Sequence, residues 1–520
     1  MNREEIDSLL QPAAYPDPTA TVRFLQTHVS FIFITDRFVY KIKKPVNLGF
    51  LDFTTLQRRS FYCHEELRLN RRLAPDLYLE VVPVRATTQG ASFHGAGDVV
   101  DFAVKMVRLP QELMMNLLLA RGGVTAAQIV TLAGIVARFH LIAPRGPGID
   151  RYGTPEAIRA NWEENFAIVQ RFAGKTVTDG DFLFIRRWVE DFLHDNDSLF
   201  RERVTAGFIR EGDGDLHAGN ICLTQPPVIF DCIEFNERFR CLDTTADIAF
   251  LCMDLEYHGA GRWAKLFLDE YCGVTGDTGV RALLPFYEIY RACIRGEVES
   301  IKEVQPDLSQ EEREAAGESA RRHFRLARGL IIREKLPLTL FITCGLSGSG
   351  KSFVASELSF QLGAELFSSD LVRKQLAGIP ATRRALHIYD RSFNRRTYDK
   401  LKELATMSLM AGRSVIMDAT FRDPPERRQF RDLAVAHGAR FVILYISCPE
   451  KIILERLQAR EERCDVISDA RRDIYFSQKK EFSPPKIVPG EVMFVDTTET
   501  LLHTVDALLT SLGVLPCGHD

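Results

Sequence analysis

The spacing of apolar and polar residues changes near Pro337. Downstream, short apolar runs alternate with stretches of helical periodicity, the order expected of a parallel α/β sheet. The runs at 338–344, 365–369, 414–417, 441–447 and 493–495 read as its strands. Between the first two, Val354, Leu358 and Leu362 recur at helical spacing, and Gly363 sits where that helix ends. Upstream, β-type runs at 28–34 and 38–42 flank Thr35, Asp36 and Arg37 as in a hairpin. From about residue 111 helical periodicity takes over, broken by short β-like stretches near 220–233. The segments 89–98 and 173–180 are turn-rich and read as loops. A helix over 311–335 begins acidic, with Glu311, Glu312 and Glu314. It turns basic through Arg321, Arg322, Arg325, Arg328 and Arg333. That order complements the helix dipole and predicts a long, partly exposed helix that Pro337 stops. The boundary is placed there, giving domains 1–336 and 337–520.

With 520 residues, 46% hydrophobic and 26% charged, the chain is long enough for several cores and has an ordinary globular composition. The 66 basic and 70 acidic residues leave a net charge of −4, no global field for nucleic acid or an anionic membrane. Local basic clusters stand at Lys41 to Lys44, at 373–384 and at 471–480. Eleven scattered cysteines, none in C-x-x-C spacing, argue against a disulfide framework and a structural zinc. The acidic N-terminus lacks a signal-type apolar segment, and no apolar run approaches about 18 residues. A cytoplasmic protein without a membrane span is expected.

The segment Gly345-Leu-Ser-Gly-Ser-Gly-Lys-Ser352 satisfies the full G-x-x-x-x-G-K-[ST] pattern, with a predicted strand before it and a helix after it. In that context the backbone of Gly345, Ser347, Gly348, Ser349 and Gly350 closes around phosphates. Lys351 reaches the outer phosphates and the Ser352 hydroxyl ligates Mg²⁺, so ATP is the expected cofactor. Asp370, just past the second strand, can take a proton from a substrate hydroxyl or cap the next helix. Arg373, three residues on, can bind a substrate phosphate or carboxylate. Asp418 follows the third apolar run, where a carboxylate orders Mg²⁺. Arg456 and Arg460 share one helix face, suited either to a lid over ATP or to surface pairing with Glu455, Glu461 and Glu462.

Residues 338–500 resemble the small P-loop kinases grouped with gluconate kinase, polynucleotide 5′-kinases and zeta-type toxins. The likeness rests on the D-x-x-R at Asp370–Arg373 and on Asp418-Ala-Thr-Phe-Arg422 with Arg427 and Arg428. It implies a P-loop NTPase fold and a hydroxyl-bearing acceptor.

A second constellation lies upstream. Asp215 is followed by Asn220 in Asp-Gly-Asp-Leu-His-Ala-Gly-Asn, and a short apolar strand then leads to Asp231. Phosphoryl transfer needs this set: a carboxylate beside the acceptor hydroxyl and oxygen ligands for Mg²⁺. Lys41 lies on a strand, and Glu65 or Glu66 on the next helix can hold it against phosphates. Residues from about 20 to 300 resemble the aminoglycoside phosphotransferase branch of the protein-kinase-like fold, whose loop reads H-G-D-L-H-x-x-N. The resemblance implies a bilobal α+β domain with Asp215 as catalytic base, Asn220 and Asp231 on Mg²⁺, and Lys41 paired with Glu66. It makes Asp247 structural, and Glu211 and Glu234 also read as structural. Two departures are Asp213, where the family has His, and the lack of a glycine-rich flap before Phe38.

The whole order resembles a bacterial family of bifunctional aminoglycoside phosphotransferase/ATP-binding proteins. The reading is therefore an ATP- and Mg²⁺-dependent enzyme with two phosphoryl-transfer sites for small hydroxyl-bearing acceptors. Its alternatives are a P-loop kinase regulated by a non-catalytic first domain, an ATPase switch acting on a protein partner, and a nucleic-acid 5′-kinase. The neutral charge balance weighs against the last.

Overall fold

In the computed structural model, β1 (Arg23–Gln26), β2 (Ser30–Ile34) and β3 (Phe38–Lys43) are successive antiparallel strands. The last two are the hairpin expected around Asp36. The structure describes residues 1–49, 51–88, 90–380, 391–461 and 472–515. Contacts divide it into two units, one of Met1–Ile168 with Val189–Arg295, the other of Val169–Trp188 with Gly296–Asp520.

In the first unit, β4 (Tyr78–Thr87), β5 (Gly90–Ser92) and β6 (Val99–Val107) complete a six-stranded sheet of order β1-β2-β3-β6-β4-β5. β5 corrects the loop expected at 89–98, because Gly90–Ser92 pairs back onto β4. The Leu56–Asn70 helix starts where the Thr55 hydroxyl accepts the Arg58 N–H, and it packs on β4 and β6. Helices dominate thereafter, as the periodicity predicts. The short strands β7 (Ile209–Glu211), β8 (Ile221–Cys222), β9 (Val228–Ile229) and β10 (Cys241–Asp243) form two small antiparallel pairs, β8 with β9 and β7 with β10.

The second unit holds β11 (Thr339–Cys344), β12 (Glu365–Ser368), β13 (Val415–Asp418), β14 (Arg440–Ser447) and β15 (Val492–Asp496), all parallel, in the order β12-β13-β11-β14-β15. Buried aliphatic clusters cover both faces, with Phe341, Ile416 and Val442 on one and Leu340, Ile342 and Met417 on the other. All five strands fall close to the predicted runs. Their order carries one correction: β13, not β12, lies beside β11, so Asp370 follows a strand one place further out than expected.

The long, partly exposed helix expected before Pro337 is present. It spans Gln310–Arg333, and Ser309 with Glu312 forms a capping box at its start. Its C-terminal half is buried through Phe324, Leu326, Leu330, Ile331 and Ile332. Arg328 is not on a solvated face. It is 2% exposed and donates to Asp181 at 3.0 Å, to Asp506 at 2.6 Å and to Gln361. These contacts draw 296–336 and 169–188 into the P-loop unit, upstream of the boundary at Pro337. Among the described residues no single helix is long and apolar enough to cross a membrane.

Removing one partner of a buried ion pair leaves the others uncompensated, so Arg328→Ala should destabilise the second unit by about 3–5 kcal/mol. Thermal denaturation of the full chain should show one transition moving down while the other stays.

Candidate functional site

All six residues of β11 are buried, and the chain leaves the strand through Gly345. A Cβ there would lie 2.2 Å from the Ile446 carbonyl oxygen, so no larger residue fits. Gly348, at φ 85°, sits in the left-handed region that L side chains avoid. The Lys351–Leu362 helix then begins at Gly350. Lys351 is buried and donates to the Leu346 carbonyl at 2.7 Å. Ser352 donates to Asp418 at 2.6 Å, and Thr343 donates to the Ala419 carbonyl at 2.7 Å. Burial pushes the Asp418 carboxyl up, while the Ser352 bond and the Lys351 charge oppose that shift. The Ser347 N–H donates to Gln478 at 3.0 Å, and Thr497 donates to the Ser349 carbonyl at 2.8 Å. Ser349 Oγ is buried with no hydrogen-bond partner among the described residues.

Lys351, Ser352, Asp370, Arg373 and Asp418 all line one cavity of about 920 Å³. Asp370 lies in the first turn of the Ser369–Leu376 helix, whose cap residue is Ser368. The capping role therefore falls away, and the Asp370 carboxylate instead meets Arg373 at 3.0 Å. Arg373 is 5% exposed and also donates to Asn394 at 2.8 Å. A smaller cavity of about 350 Å³ flanks Gly350 and is lined by Phe353, Val354, Arg456, Thr497 and Leu501. Arg456, suited by its spacing to a lid or to surface pairing, lines this cavity. Its guanidinium is tied down on Thr497, at 2.7 Å from the carbonyl and 3.0 Å from the hydroxyl, and so braces the residue packed against Gly350. The side chain of Arg460, part of the 373–384 cluster and Arg471 lie outside the described residues.

In the first unit, Lys41 reaches Glu66 at 2.9 Å and also donates to Asp231. Glu65, the alternative partner, binds Arg68 at 2.8 Å instead. Lys43, two residues along the same strand face, was not singled out from the sequence. It is 1% exposed, 2.7 Å from Glu66, and donates to Glu234. Burial opposes ionisation of Glu66, but the two lysines outweigh it and hold the carboxyl at about 2.

Asp231 adopts φ 65°, and its N–H donates to the Tyr78 hydroxyl at 3.0 Å. The Phe230 N–H donates to the Asn220 carbonyl at 3.0 Å, bringing the predicted metal ligands to one place. The Asn220 amide donates to the Asp215 carboxylate at 2.9 Å. Asp215 is pushed up by burial but pulled down harder by His217, Arg295 and Arg291, reaching about 2. Asp213 does not disrupt this loop: its carboxyl accepts the Asp215 N–H at 3.0 Å. Burial and the Asp247 charge push Asp213 up. Asp247 accepts the N–H groups of Asp213 and Gly214, both at 2.8 Å, which fits its expected structural role. One residue escaped the sequence reading. Asp254, seven positions after Asp247 on the Thr244–Tyr257 helix, accepts the Ala218 N–H at 2.8 Å. Glu211 binds Arg240 at 3.0 Å. Among the described residues, no three His, Cys, Asp or Glu side chains converge as a ready-made metal cage.

A family model described as an AAA domain matches residues 340–485. The uncharacterized protein Rv2004c of Mycobacterium tuberculosis is 31% identical over 451 residues, covering 85% of this chain and 87% of that protein. The uncharacterized protein Mb2027c of Mycobacterium bovis matches to the same extent, 31% over 451 residues. Among solved structures, a gluconokinase from Sinorhizobium meliloti 1021 is 20% identical, covering 34% of this chain and 93% of its own, at a TM-score of 0.26. The Mycobacterium tuberculosis APS kinase CysC, solved with AMPPNP and APS, is 18% identical over 34% of this chain and 99% of its own, at a TM-score of 0.27.

The Glu66 carboxyl, usually near 4.5, is held at about 2 in the fold. A depressed carboxyl contributes stability that is complete above its unfolded value and is lost as pH falls through the folded one. Thermal denaturation between about pH 5 and pH 3 should therefore lower the melting temperature of the wild type more steeply than that of Glu66→Gln. Parallel slopes would remove Glu66 as the source of the acid sensitivity.

Proposed function

The chain belongs to the same family as these mycobacterial proteins, a membership that brings no activity with it, and we propose from its sites that it is an ATP- and Mg²⁺-dependent phosphotransferase acting on hydroxyl groups of small molecules. The observation that carries this reading is the meeting of phosphate-binding and proton-accepting groups around one cavity, Lys351, Ser352 and Asp418 with Asp370 and Arg373. A motor or switch needs the first three. A carboxylate next to an arginine in the same cavity suits a second substrate.

In the P-loop unit, the cradle from Gly345 to Ser352 holds the phosphates, and Lys351 meets the charge that grows on the moving phosphoryl group. Mg²⁺ when bound neutralises charge between the β- and γ-phosphates, and Ser352 with Asp418 would hold it, directly or through water. Asp370 takes the acceptor hydroxyl's proton as that oxygen bonds to the γ-phosphorus and the bond to the β–γ bridging oxygen breaks. Arg373, 3.0 Å away, orients Asp370 for this. The small cavity beside Gly350, with its apolar Phe353, Val354 and Leu501, is a seat for the adenine.

For the first unit, we read a second phosphotransferase site of the aminoglycoside phosphotransferase type. The sheet with a helix between β3 and β4, the Lys41–Glu66 pair, and the cluster of Asp215, Asn220 and Asp231 support it. In this reading Asp215 is the base and Lys41 binds phosphates, while Asn220 and Asp231 would hold Mg²⁺. Asp213 favours an active loop over a degenerate one, since its carboxyl supports the backbone of Asp215.

The test is ATP turnover by wild type, Lys351→Ala and Asp215→Ala on a pooled metabolite extract, following which compounds gain phosphate. Each substitution should abolish its own product by about a hundredfold or more and spare the other. Loss of every product in Lys351→Ala alone would make the first unit a regulator. ATP hydrolysis with no phosphorylated product would leave an ATPase switch.

A further inference from the structure

Among the described residues only two non-glycine positions carry a positive φ, Asp231 and Phe421. For a bulky residue such as Phe421, at φ 41°, this conformation is strained and persists only where the surroundings enforce it. The surroundings do so. The ring is fully buried, 5.3 Å from the Tyr398 ring and 5.0 Å from the Phe430 ring, and the Phe421 carbonyl accepts from Arg427 at 2.7 Å. The consequence is local: Phe421 points into the core while Thr420 and Arg422 on either side of it both line the large cavity.

Two helices complete that wall. The Arg391–Met410 helix brings Tyr398, Asp399 and Lys402 to the cavity, and the Pro424–Ala436 helix brings Glu426. Glu426 and Tyr398, one from each helix, lie close enough to interact electrostatically across the wall. Of the cations on this wall, Arg422 is held by Glu481 at 3.1 Å and Lys402 by Asp399 at 2.8 Å and Gln429 at 3.0 Å, and Arg395 lines the cavity beside them. The wall therefore offers a ligand the carboxylates of Asp399, Asp423 and Glu426, the Gln429 amide and the Tyr398 phenol beside these cations. Such a surface suits hydroxyl groups, which donate to carboxylates and exchange bonds with a phenol. A single-stranded nucleic acid wants a basic groove with exposed aromatic faces, and Tyr398 instead lays its ring edge-on against Phe421.

We propose that this wall recognises the acceptor of the P-loop unit, that Glu426 and Tyr398 determine its specificity, and that the acceptor is a compact polyhydroxylated molecule of the sugar or sugar-alcohol class. The inference rests on the reading of the P-loop unit as a kinase. Burial, helped by the neighbouring Asp423 charge, lifts Glu426 to about 7 against the pull of Arg422, Tyr398 and Arg427. Near neutrality its carboxyl can thus either accept from or donate to a substrate hydroxyl.

The full chain with Mg²⁺ and ATP would be offered short-chain aldoses, alditols and aldonates, with a nucleoside and a 5′-hydroxyl oligonucleotide as comparators. Phosphate should appear on at least one polyhydroxylated compound and on neither comparator. Glu426→Gln and Tyr398→Phe should each raise the KM for that compound roughly tenfold or more, leaving the KM for ATP unchanged. The pair is overturned if both variants keep the wild-type acceptor KM. The acceptor class is overturned if only a comparator is phosphorylated, or if the wild type binds ATP and phosphorylates nothing in the panel. Failure of the wild type to bind ATP would overturn the kinase reading, and this inference with it.

Discussion

The second unit depends on the complete burial of β11. A strand buried at every position must have its backbone paired on both sides, and β13 and β14 provide that pairing. Parallel pairing then fixes what meets at the C-terminal edge. Ile342 lies opposite Met417, so the next residues, Thr343 and Asp418, come together. Ser368 lies opposite Asp418 on the other side, so Asp370 emerges just beyond that level. The chain leaving β11 has room only for glycine at Gly345, because the Ile446 carbonyl occupies the space a Cβ would need. On the proposed reading, phosphate cradle, metal-side carboxylate and proton acceptor are thus consequences of one register.

The first unit answers to a different constraint, the cost of burying charge. Lys43 and Glu66 are both almost wholly inaccessible, and neither could remain ionised there alone. Together with Lys41 and Glu234 they balance one another, but such a cluster does little for net stability once desolvation is counted. Its effect is positional. Glu66 can satisfy two lysines two residues apart on β3 only if the Leu56–Asn70 helix sits in one rotation and one register against the sheet. Lys43 therefore acts through Glu66 to hold Lys41 where it meets Asp231.

Much of this was legible because it is local. The strands of the parallel sheet are short apolar runs bounded by turn residues, and the phosphate loop is a contiguous motif. The hairpin around Asp36 and the spacing of Asp215 and Asn220 are equally short-range. What escaped is non-local. The placement of β13 between β12 and β11 is a pairing choice that no single run encodes. Arg328 read only as one of the basic residues late in a long helix, since its partner Asp181 lies 147 residues away. Arg456 read equally as a lid or a surface residue, because helical spacing shows which side chains share a face but not what that face meets. Two omissions could have been avoided. Lys43 shares the face of Lys41 by strand alternation, and Asp254 shares the face of Asp247 by helical spacing.

Asp213 illustrates how a departure from a family pattern can preserve the chemistry. The related loops carry histidine there, a side chain able to hydrogen-bond without charge. An ionised aspartate would crowd Asp247 and Asp215 with like charge inside the fold. Burial and the Asp247 charge both push Asp213 toward its neutral form. Asp247 meanwhile is stabilised as an anion by its bonds to His140 and to the Asp213 N–H, which outweigh its own burial. Of two adjacent buried carboxyls, one is thus favoured neutral and the other charged, the usual outcome when like groups share a site. A neutral carboxyl bonded to the Asp215 backbone leaves the half-buried Asp215 carboxylate as the negative group of the loop. On the proposed reading that is the arrangement a catalytic base requires, reached with a different residue at the same position.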